Sequence, residues 1–292
     1  MRLFRRHDEP RPGSGTEPLA PHHEEEDWRT FDSVAETYAR LSAPNLAQVA
    51  EDLVRLLEVA PGHRVLDVGT GTGVGARAAA RAARDGGMAV GIDPSMGMLR
   101  MATREPGGAA FAAATSIDLP FRDATFDRLL ANFVIAFFTD YRTALFELLR
   151  VLKPTGRVAV SWWGPGDNRD ELRTTWLGVA EEFAEHDVLM DAQHRAVPWE
   201  QHFGDRNVLK DTLHEAGLRD IWTEEREYRF RLARDDWLDS RGVTPMARFL
   251  RQMLGTEFWE TFDRRVRQVF AERFPDPIND LRDVVLAVGH KP

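Results

Sequence analysis

The chain has 292 residues, 38 of them Lys or Arg and 47 Asp or Glu, for a formal net charge of −9. Duplex nucleic acid, whose binding rests on phosphate neutralisation, is therefore not expected as a partner, and the absence of cysteine excludes disulfides, thiolate nucleophiles and Cys-ligated zinc. At 43% hydrophobic and 29% charged residues the composition is that of a globular protein with a sizeable core, and no apolar run approaches the ~18–20 residues that cross a bilayer.

Residues 1–27 read as a tail. Arg5, Arg6 and Arg11 mix with Pro10, Pro12, Gly13 and Gly15, then the acidic run Glu24-Glu25-Glu26-Asp27 follows. Such a stretch buries too little apolar surface to offset its ordering entropy. The opening Met1-Arg2-Leu3-Phe4-Arg5-Arg6 is basic without the apolar stretch of a secretory signal, so a cytoplasmic location is expected. His22 and His23 have no neighbours at ligand spacing, and no metal site is expected there. Order is expected from Trp28 onward, as a single domain over 28–292.

Ser33 and Glu36 form a capping box for a short helix holding Tyr38 and Leu41, and Asn45 caps a second helix that Pro61-Gly62 stops. Strand and helix signals then alternate. Arg64–Val68 is β-rich and runs into a glycine cluster from Gly69 to Gly75, followed by an Ala-rich helix. Met88–Ile92, Ala110–Ala114, Phe126–Phe133 and Arg157–Trp163 read as further strands, with helices between them at Ser95–Arg104 and through Leu145, Leu148 and Leu149. This alternation predicts parallel pairing with right-handed crossovers. Beyond Trp163 the spacing predicts helices over Asp170–His186, Val208–Ala216, Asp235–Leu254 and Glu257–Phe274. Between the first two lies a polar, irregular stretch with His194, Pro198, Trp199 and His202. Two short strands, Ile221–Phe230 and Val284–Val288, complete the pattern. The expected fold is α/β: a doubly wound, mostly parallel seven-stranded sheet, with a helical lid inserted after the fifth strand and ligand at the carboxyl ends of the strands.

Chemistry concentrates in Val65-Leu66-Asp67-Val68-Gly69-Thr70-Gly71-Thr72-Gly73 and Val90-Gly91-Ile92-Asp93. A Gly-rich turn leaving a strand lets a ligand approach the backbone. An acid ending the next strand, Asp93, suits a ribose diol. Both NAD and S-adenosylmethionine fit so far, and Gly71, Gly73 and Ala76 even supply a dinucleotide-type spacing. Asp67 weighs against NAD, because a carboxylate at that strand end would face a pyrophosphate. S-adenosylmethionine instead brings an ammonium and a sulfonium, for which an acid is an asset.

The chain resembles the class I S-adenosylmethionine-dependent methyltransferases, in their ubiquinone-biosynthesis-like small-molecule group. Phe31-Asp32-Ser33-Val34-Ala35-Glu36-Thr37-Tyr38 is similar to the family's N-terminal segment, and the Asp67 to Gly73 turn to its first motif. Asp93-Pro94-Ser95 is similar to the ribose-binding acid and its turn. Leu119-Pro120-Phe121 with Phe126-Asp127, and Leu148 through Arg157, resemble the later family motifs. The resemblance implies a Rossmann-like fold, S-adenosylmethionine as cofactor, and residues 28–163 as the donor-binding half, with 164–292 supplying lid helices and the last strands. It implies a donor site of Tyr38, Asp67, Gly69, Gly71, Gly73, Asp93, Pro94, Ser95, Met98, Thr115, Ser116 and Asn132. Tyr38 would close over the donor and Met98 lie beside the adenine. Thr115 and Ser116 stand where the family often has an acid bonding the adenine amino group. Thr155 replaces the usual glycine of the Lys-Pro-Gly-Gly turn, in which Pro154 ends the helix and Gly156 permits the reversal.

The expected activity is methyl transfer to a small, hydrophobic or aromatic acceptor. Its chemistry, O-, N- or C-methylation, and the oligomeric state are not legible. His186, His194 and His202 are candidate bases near the lid, and no catalytic residue stands out. Of the tryptophans after residue 161 some could line an aromatic acceptor pocket, with core packing the default role for most. Two further readings stay open: a family member that lost methylation and acts as a cyclase or scaffold, and an NAD(P)-dependent oxidoreductase.

Overall fold

The computed structural model describes residues 30–165 and 170–292. The tail expected over 1–27, with His22 and His23, lies outside the described residues. Two helices come first, α1 (Ala35–Leu41) and α2 (Ala43–Leu56). The alternating core follows as β1 (Arg64–Val68), α3 (Val74–Ala83), β2 (Met88–Asp93), α4 (Met96–Arg104), β3 (Ala109–Ala113), β4 (Phe126–Asn132), α5 (Tyr141–Val151) and β5 (Leu152–Trp163). Next come α6 (Glu171–Ala180), α7 (His186–Ala196), α8 (Glu200–Gly204) and α9 (Arg206–Glu215), then β6 (Arg219–Leu232), α10 (Arg234–Gly242), α11 (Pro245–Arg273) and β7 (Ile278–His290).

The seven strands form one sheet in the order β3-β2-β1-β4-β5-β7-β6. β1 to β5 pair in parallel, and β7 runs antiparallel to both its neighbours. This is the expected doubly wound, mostly parallel sheet. Strand order reverses between β1 and β4, so the crevice at their carboxyl ends is the place for a ligand. β1 can occupy the centre because Val65, Leu66 and Val68 are all buried, as a strand covered on both faces requires.

The lid comes from two insertions, one on each side of β6. α6, α7 and α8 leave the carboxyl end of β5. α10 and α11 leave the same end of the sheet at β6 and return through β7. β5 stops pairing at Trp163 with Val284, yet β6 and β7 continue as a two-stranded ribbon, residues 227–232 against 278–283. That extension explains why both late strands outrun their expected limits: its residues carry Arg and Asp at positions where a strand pattern looks broken. The lid helices share a second hydrophobic cluster, with Trp176, Leu189, Trp237, Leu250, Phe262 and Phe270 buried in it.

Several local expectations are corrected. The Ser33–Glu36 capping box does not form: Val34 is the N-cap of α1 without a side-chain bond, and Ser33 Oγ accepts Arg248 Nη2 at 3.1 Å. Asn45 lies inside α2 and donates to the Leu41 carbonyl, while Pro44 occupies the first turn. The polar stretch around His194 and His202 is helical, in α7 and α8. The helix expected over Asp235–Leu254 is split after Gly242, whereas Gly255, at φ 71°, interrupts α11 where the two expected helices part. In the irregular start of β5 the left-handed residue is Thr155 (φ 63°); Gly156 is needed for close approach, since a Cβ there would meet Leu152 Cδ1 at 2.5 Å.

Candidate active site

β1 delivers Asp67 to the carboxyl edge, where it is buried. Its Oδ2 accepts Thr70 Oγ1 at 2.6 Å and the Ala76 amide also points to it, whereas its Oδ1 is buried without a hydrogen-bond partner. Loss of hydration pushes this carboxyl up to about 7, against the opposing pull of those two donors. The turn that follows puts Gly69 at φ 65° and Gly71 at φ 52°. A Cβ on Gly69 would collide with Val134, but one on Gly71 would meet nothing within 4 Å. The first glycine thus serves packing and the second opens a face to a ligand. Gly73, also left-handed, caps α3; a Cβ there would meet Phe111 Cζ at 2.7 Å.

β2 delivers Asp93 beside this turn. One carboxylate oxygen accepts the Gly71 amide at 2.9 Å and the other the Ser95 amide at 2.9 Å, so a single acid fixes both the glycine turn and the start of α4. Burial raises its carboxyl above the ordinary range. Pro94 is exposed in the connection, and Ser95 Oγ caps α4 by accepting the Met98 amide at 3.1 Å. Met98 is buried beneath.

The N-terminal segment is bound to this corner. Asp32 Oδ1 accepts the Gly97 amide at 2.6 Å and Ser95 Oγ at 3.2 Å. A Cβ on Gly97 would sit 2.5 Å from the Asp32 carbonyl oxygen, so the contact needs glycine. From α1, Tyr38 comes close enough to Asp93 for that carboxylate, together with burial, to raise its hydroxyl. Sequence reasoning missed Asp32 and Gly97. The signal was present in the Phe31-Asp32-Ser33 stretch, read there only through Tyr38.

Thr115 and Ser116 stand apart from these contacts, in the loop after β3, with Thr115 exposed and bridged to Asp118. Asn132 ends β4, its Oδ1 accepting Ser161 Oγ at 2.8 Å. The next residue, Phe133, has φ 54°, an uncommon conformation for a bulky side chain. It packs on Trp163 at 4.1 Å between ring centroids, while its neighbour Val134 abuts Gly69. The end of β4 therefore forms a wall shared by the glycine turn and the space beneath the lid.

That space is a cavity of about 420 Å³ between the lid and the sheet edge. Phe31, Tyr38, Phe133, Phe137, Trp162 and Trp163 line one side, and Trp176, Trp237, Arg173, Arg241, Asp280 and Arg282 another. None of the three candidate histidines lines it. His186 pairs with Glu181 on the surface, His194 is exposed, and His202 bonds Thr212 Oγ1 while packing against Tyr141 and Phe203. Trp199, Trp222 and Trp259 are likewise absent from the lining.

Residues 66–160 match the family model described as a methyltransferase domain, and residues 22–107 match that of protein-L-isoaspartate (D-aspartate) O-methyltransferase. These matches identify residues 66–160 as a methyltransferase domain of the class I S-adenosylmethionine-dependent type. A demethylmenaquinone methyltransferase of Streptomyces avermitilis is 37% identical over 136 residues, 44% of this chain and 57% of that one. A malonyl-[acyl-carrier protein] O-methyltransferase of Halorhodospira halophila is 32% identical over 197 residues, 66% and 61%. The chain spans about half the length of the curated relatives it matches. Among solved structures, Haemonchus contortus phosphoethanolamine N-methyltransferase 2, bound to phosphomonomethylethanolamine and S-adenosylhomocysteine, aligns with TM-score 0.55 at 18% identity, covering 92% of this chain and 60% of that one. The YcgJ protein of Bacillus subtilis aligns with TM-score 0.52 at 19% identity, covering 84% and 98%. At such identities the likeness is one of fold. S-adenosylmethionine is the cofactor of methyltransferases of this type. No helix among the described residues is long and apolar enough to cross a membrane.

Proposed function

We propose that this methyltransferase moves the methyl group of S-adenosylmethionine onto a small apolar or aromatic acceptor enclosed beneath the lid. The observation that carries the reading is the shared wall. Phe31, Tyr38 and Phe133 line the cavity, while their neighbours Asp32 and Val134 contact the Ser95–Gly97 turn and Gly69. An acceptor in that space would lie next to the donor corner and away from bulk water.

The donor corner fits the cofactor at an unmatched atom. Asp67 Oδ1 is a buried carboxylate oxygen lacking a donor, and the ammonium of S-adenosylmethionine supplies one. Asp93 faces the ribose diol while its oxygens keep their bonds to the Gly71 and Ser95 amides. Gly71 leaves room for the ligand against the backbone, Tyr38 covers the site, and Met98 supplies an apolar contact. Pro94, Ser95, Thr115, Ser116 and Asn132 complete the edges.

When bound, the cofactor supplies an electrophilic methyl group activated by its sulfonium. The residues of this chain orient and desolvate: holding an acceptor atom in line with a reacting carbon is where most of the rate enhancement arises. With no histidine among the described residues of the cavity wall, an acceptor that is nucleophilic without a strong base suits the site best. The test is incubation of the protein and methyl-labelled S-adenosylmethionine with fractionated small-molecule extracts, read by mass spectrometry. Label should move to a low-molecular-weight product, and S-adenosylhomocysteine should accumulate in step. Label recovered only on macromolecules would refute a small-molecule acceptor.

A further inference from the structure

The lid side of the cavity gathers three arginines that differ in how they are paired. Arg173 on α6 is matched twice. Its guanidinium reaches Asp280 at 2.7 and 3.1 Å and Asp170 at 2.8 and 3.0 Å, and Trp237 Nε1 adds a bond to Asp280 at 2.9 Å. Arg241 and Arg282 stand outside this set. Among the described residues neither forms an ion pair, and Arg241 Nε is buried without a hydrogen-bond partner.

What holds these two side chains is aromatic. The Arg282 guanidinium lies 4.2 Å over the Trp163 ring, and that of Arg241 lies 5.4 Å over Trp176 and 5.9 Å over Trp237. A guanidinium stacked on a ring has its face occupied while its N–H donors, which lie in its plane, stay available. Loss of hydration, with repulsion from Arg173, lowers both groups, Arg241 to about 10 and Arg282 to about 9, while Asp170 and Asp280 offset part of the shift at a distance, so both remain cationic at neutral pH. Glu200 is the other acid on the wall, and its Oε2 accepts Gln193 Nε2 at 2.8 Å. Asp170, Asp280 and Glu200 match the three arginines in number. What is unmatched is donors, which favours a singly charged carboxylate over a phosphate dianion.

We propose that the acceptor is an aromatic or apolar carboxylate, its body against Trp163, Phe133 and Trp176 and its carboxylate held by the in-plane donors of Arg241 and Arg282. A carboxylate accepts from a guanidinium fork through two charge-assisted bonds, about twice as strong as neutral ones. Arg282 stacks on the same Trp163 ring that packs against Phe133, so the anion site and the donor wall share one aromatic stack. This inference rests on the cavity being the acceptor site.

The experiment is calorimetric titration of the full chain, saturated with S-adenosylhomocysteine, by 6-hydroxy-2-naphthoate and by its neutral amide, 6-hydroxy-2-naphthamide. The acid should bind about tenfold tighter than the amide or better. Arg282→Gln and Arg241→Gln should each reduce that preference, and their combination should abolish it, while S-adenosylhomocysteine affinity stays at the wild-type level. Arg282→Lys keeps the charge but loses the planar fork and should restore the preference only in part. The acid-to-amide ratio in the wild-type protein needs no variant to fold. Equal affinities, or no binding of either naphthalene, overturns the carboxylate assignment. Failure of S-adenosylhomocysteine itself to bind would instead refute the functional reading beneath it.

Discussion

The carboxylate of Asp32 accepts the amide of Gly97 at 2.6 Å, which ties the segment before α1 to the N-terminus of the helix that follows Asp93. The same segment is held from the other side by Arg248 of α11, which donates to the Thr30 carbonyl and to Ser33 Oγ. Donor corner and lid thus grip one short stretch of chain. Asp32→Ala removes an acceptor from the first turn of α4, at a partly exposed position, and should cost about 1–2 kcal/mol of S-adenosylhomocysteine affinity. Hydrogen exchange over residues 35–41 should quicken at the same time. Unchanged affinity with unchanged exchange would show that the contact does not hold the roof of the site.

Truncation addresses the same segment independently. Removal of residues 1–26, read from their sequence as a tail, should leave affinity and turnover as they are. Removal of residues 1–41 takes away Asp32 and Tyr38 together and should weaken S-adenosylhomocysteine binding more than Asp32→Ala does. The idea that Tyr38 covers the donor fails if the shorter protein, still folded by circular dichroism, binds equally well.

Two glycines of one turn should separate packing from binding. Gly69→Ala drives a methyl into Val134 and adds the strain of a left-handed residue, a combination expected to lower stability by about 2–4 kcal/mol. Gly71→Val carries only the strain, since its side chain enters open space, and should abolish donor binding with a smaller fall in the melting temperature. Thermal denaturation beside ligand titration reads both. A large loss of stability in Gly71→Val would give that glycine a backbone role instead.

Most of the sheet was legible because its strands are short, apolar and punctuated by Gly and Pro. Val65, Leu66 and Val68 announce a central strand without help from the rest of the molecule. Nearly all of β6 was legible too, but the first half of β7 was not, because Asp280, Arg282 and Asp283 interrupt the apolar pattern before Val284, and partners more than forty residues away decide the pairing. α7 and α8 were hidden for a related reason: their polar residues outnumber the buried ones, which are Leu189, Ala192, Phe203 and Gly204. In the candidate site, Asp67 and Asp93 were legible from their places at strand ends. Asp32 stood in a stretch that the family resemblance already marked, but its role did not show, since its partner is a backbone amide sixty-five residues along the chain.

Acidity at Asp67 sets a pH dependence. Its folded value of about 7 exceeds the ordinary 3.8, so between those limits the folded protein holds a proton that the unfolded chain has lost. The contribution of this group to stability is complete below pH 4 and falls as pH rises toward 7. Ligand binding runs the other way, because an ammonium needs the carboxylate. S-adenosylhomocysteine affinity should rise by up to about tenfold per pH unit as pH 7 is approached from below, then level off. Asp67→Asn should flatten the profile as well as weaken binding. A wild-type affinity independent of pH between 5.5 and 7.5 would contradict an ammonium at Asp67.

The most direct measurement is calorimetric titration of S-adenosylhomocysteine into the wild-type protein and into Asp93→Ala, repeated with NADH. The wild-type chain should bind one equivalent of S-adenosylhomocysteine and show no comparable affinity for NADH. Asp93→Ala should lose about 1.5–3 kcal/mol, the worth of charge-assisted hydrogen bonds to the ribose, while remaining folded. Equal binding by wild type and variant, or tighter binding of NADH than of S-adenosylhomocysteine, would contradict the donor site built on Asp67, Gly71 and Asp93.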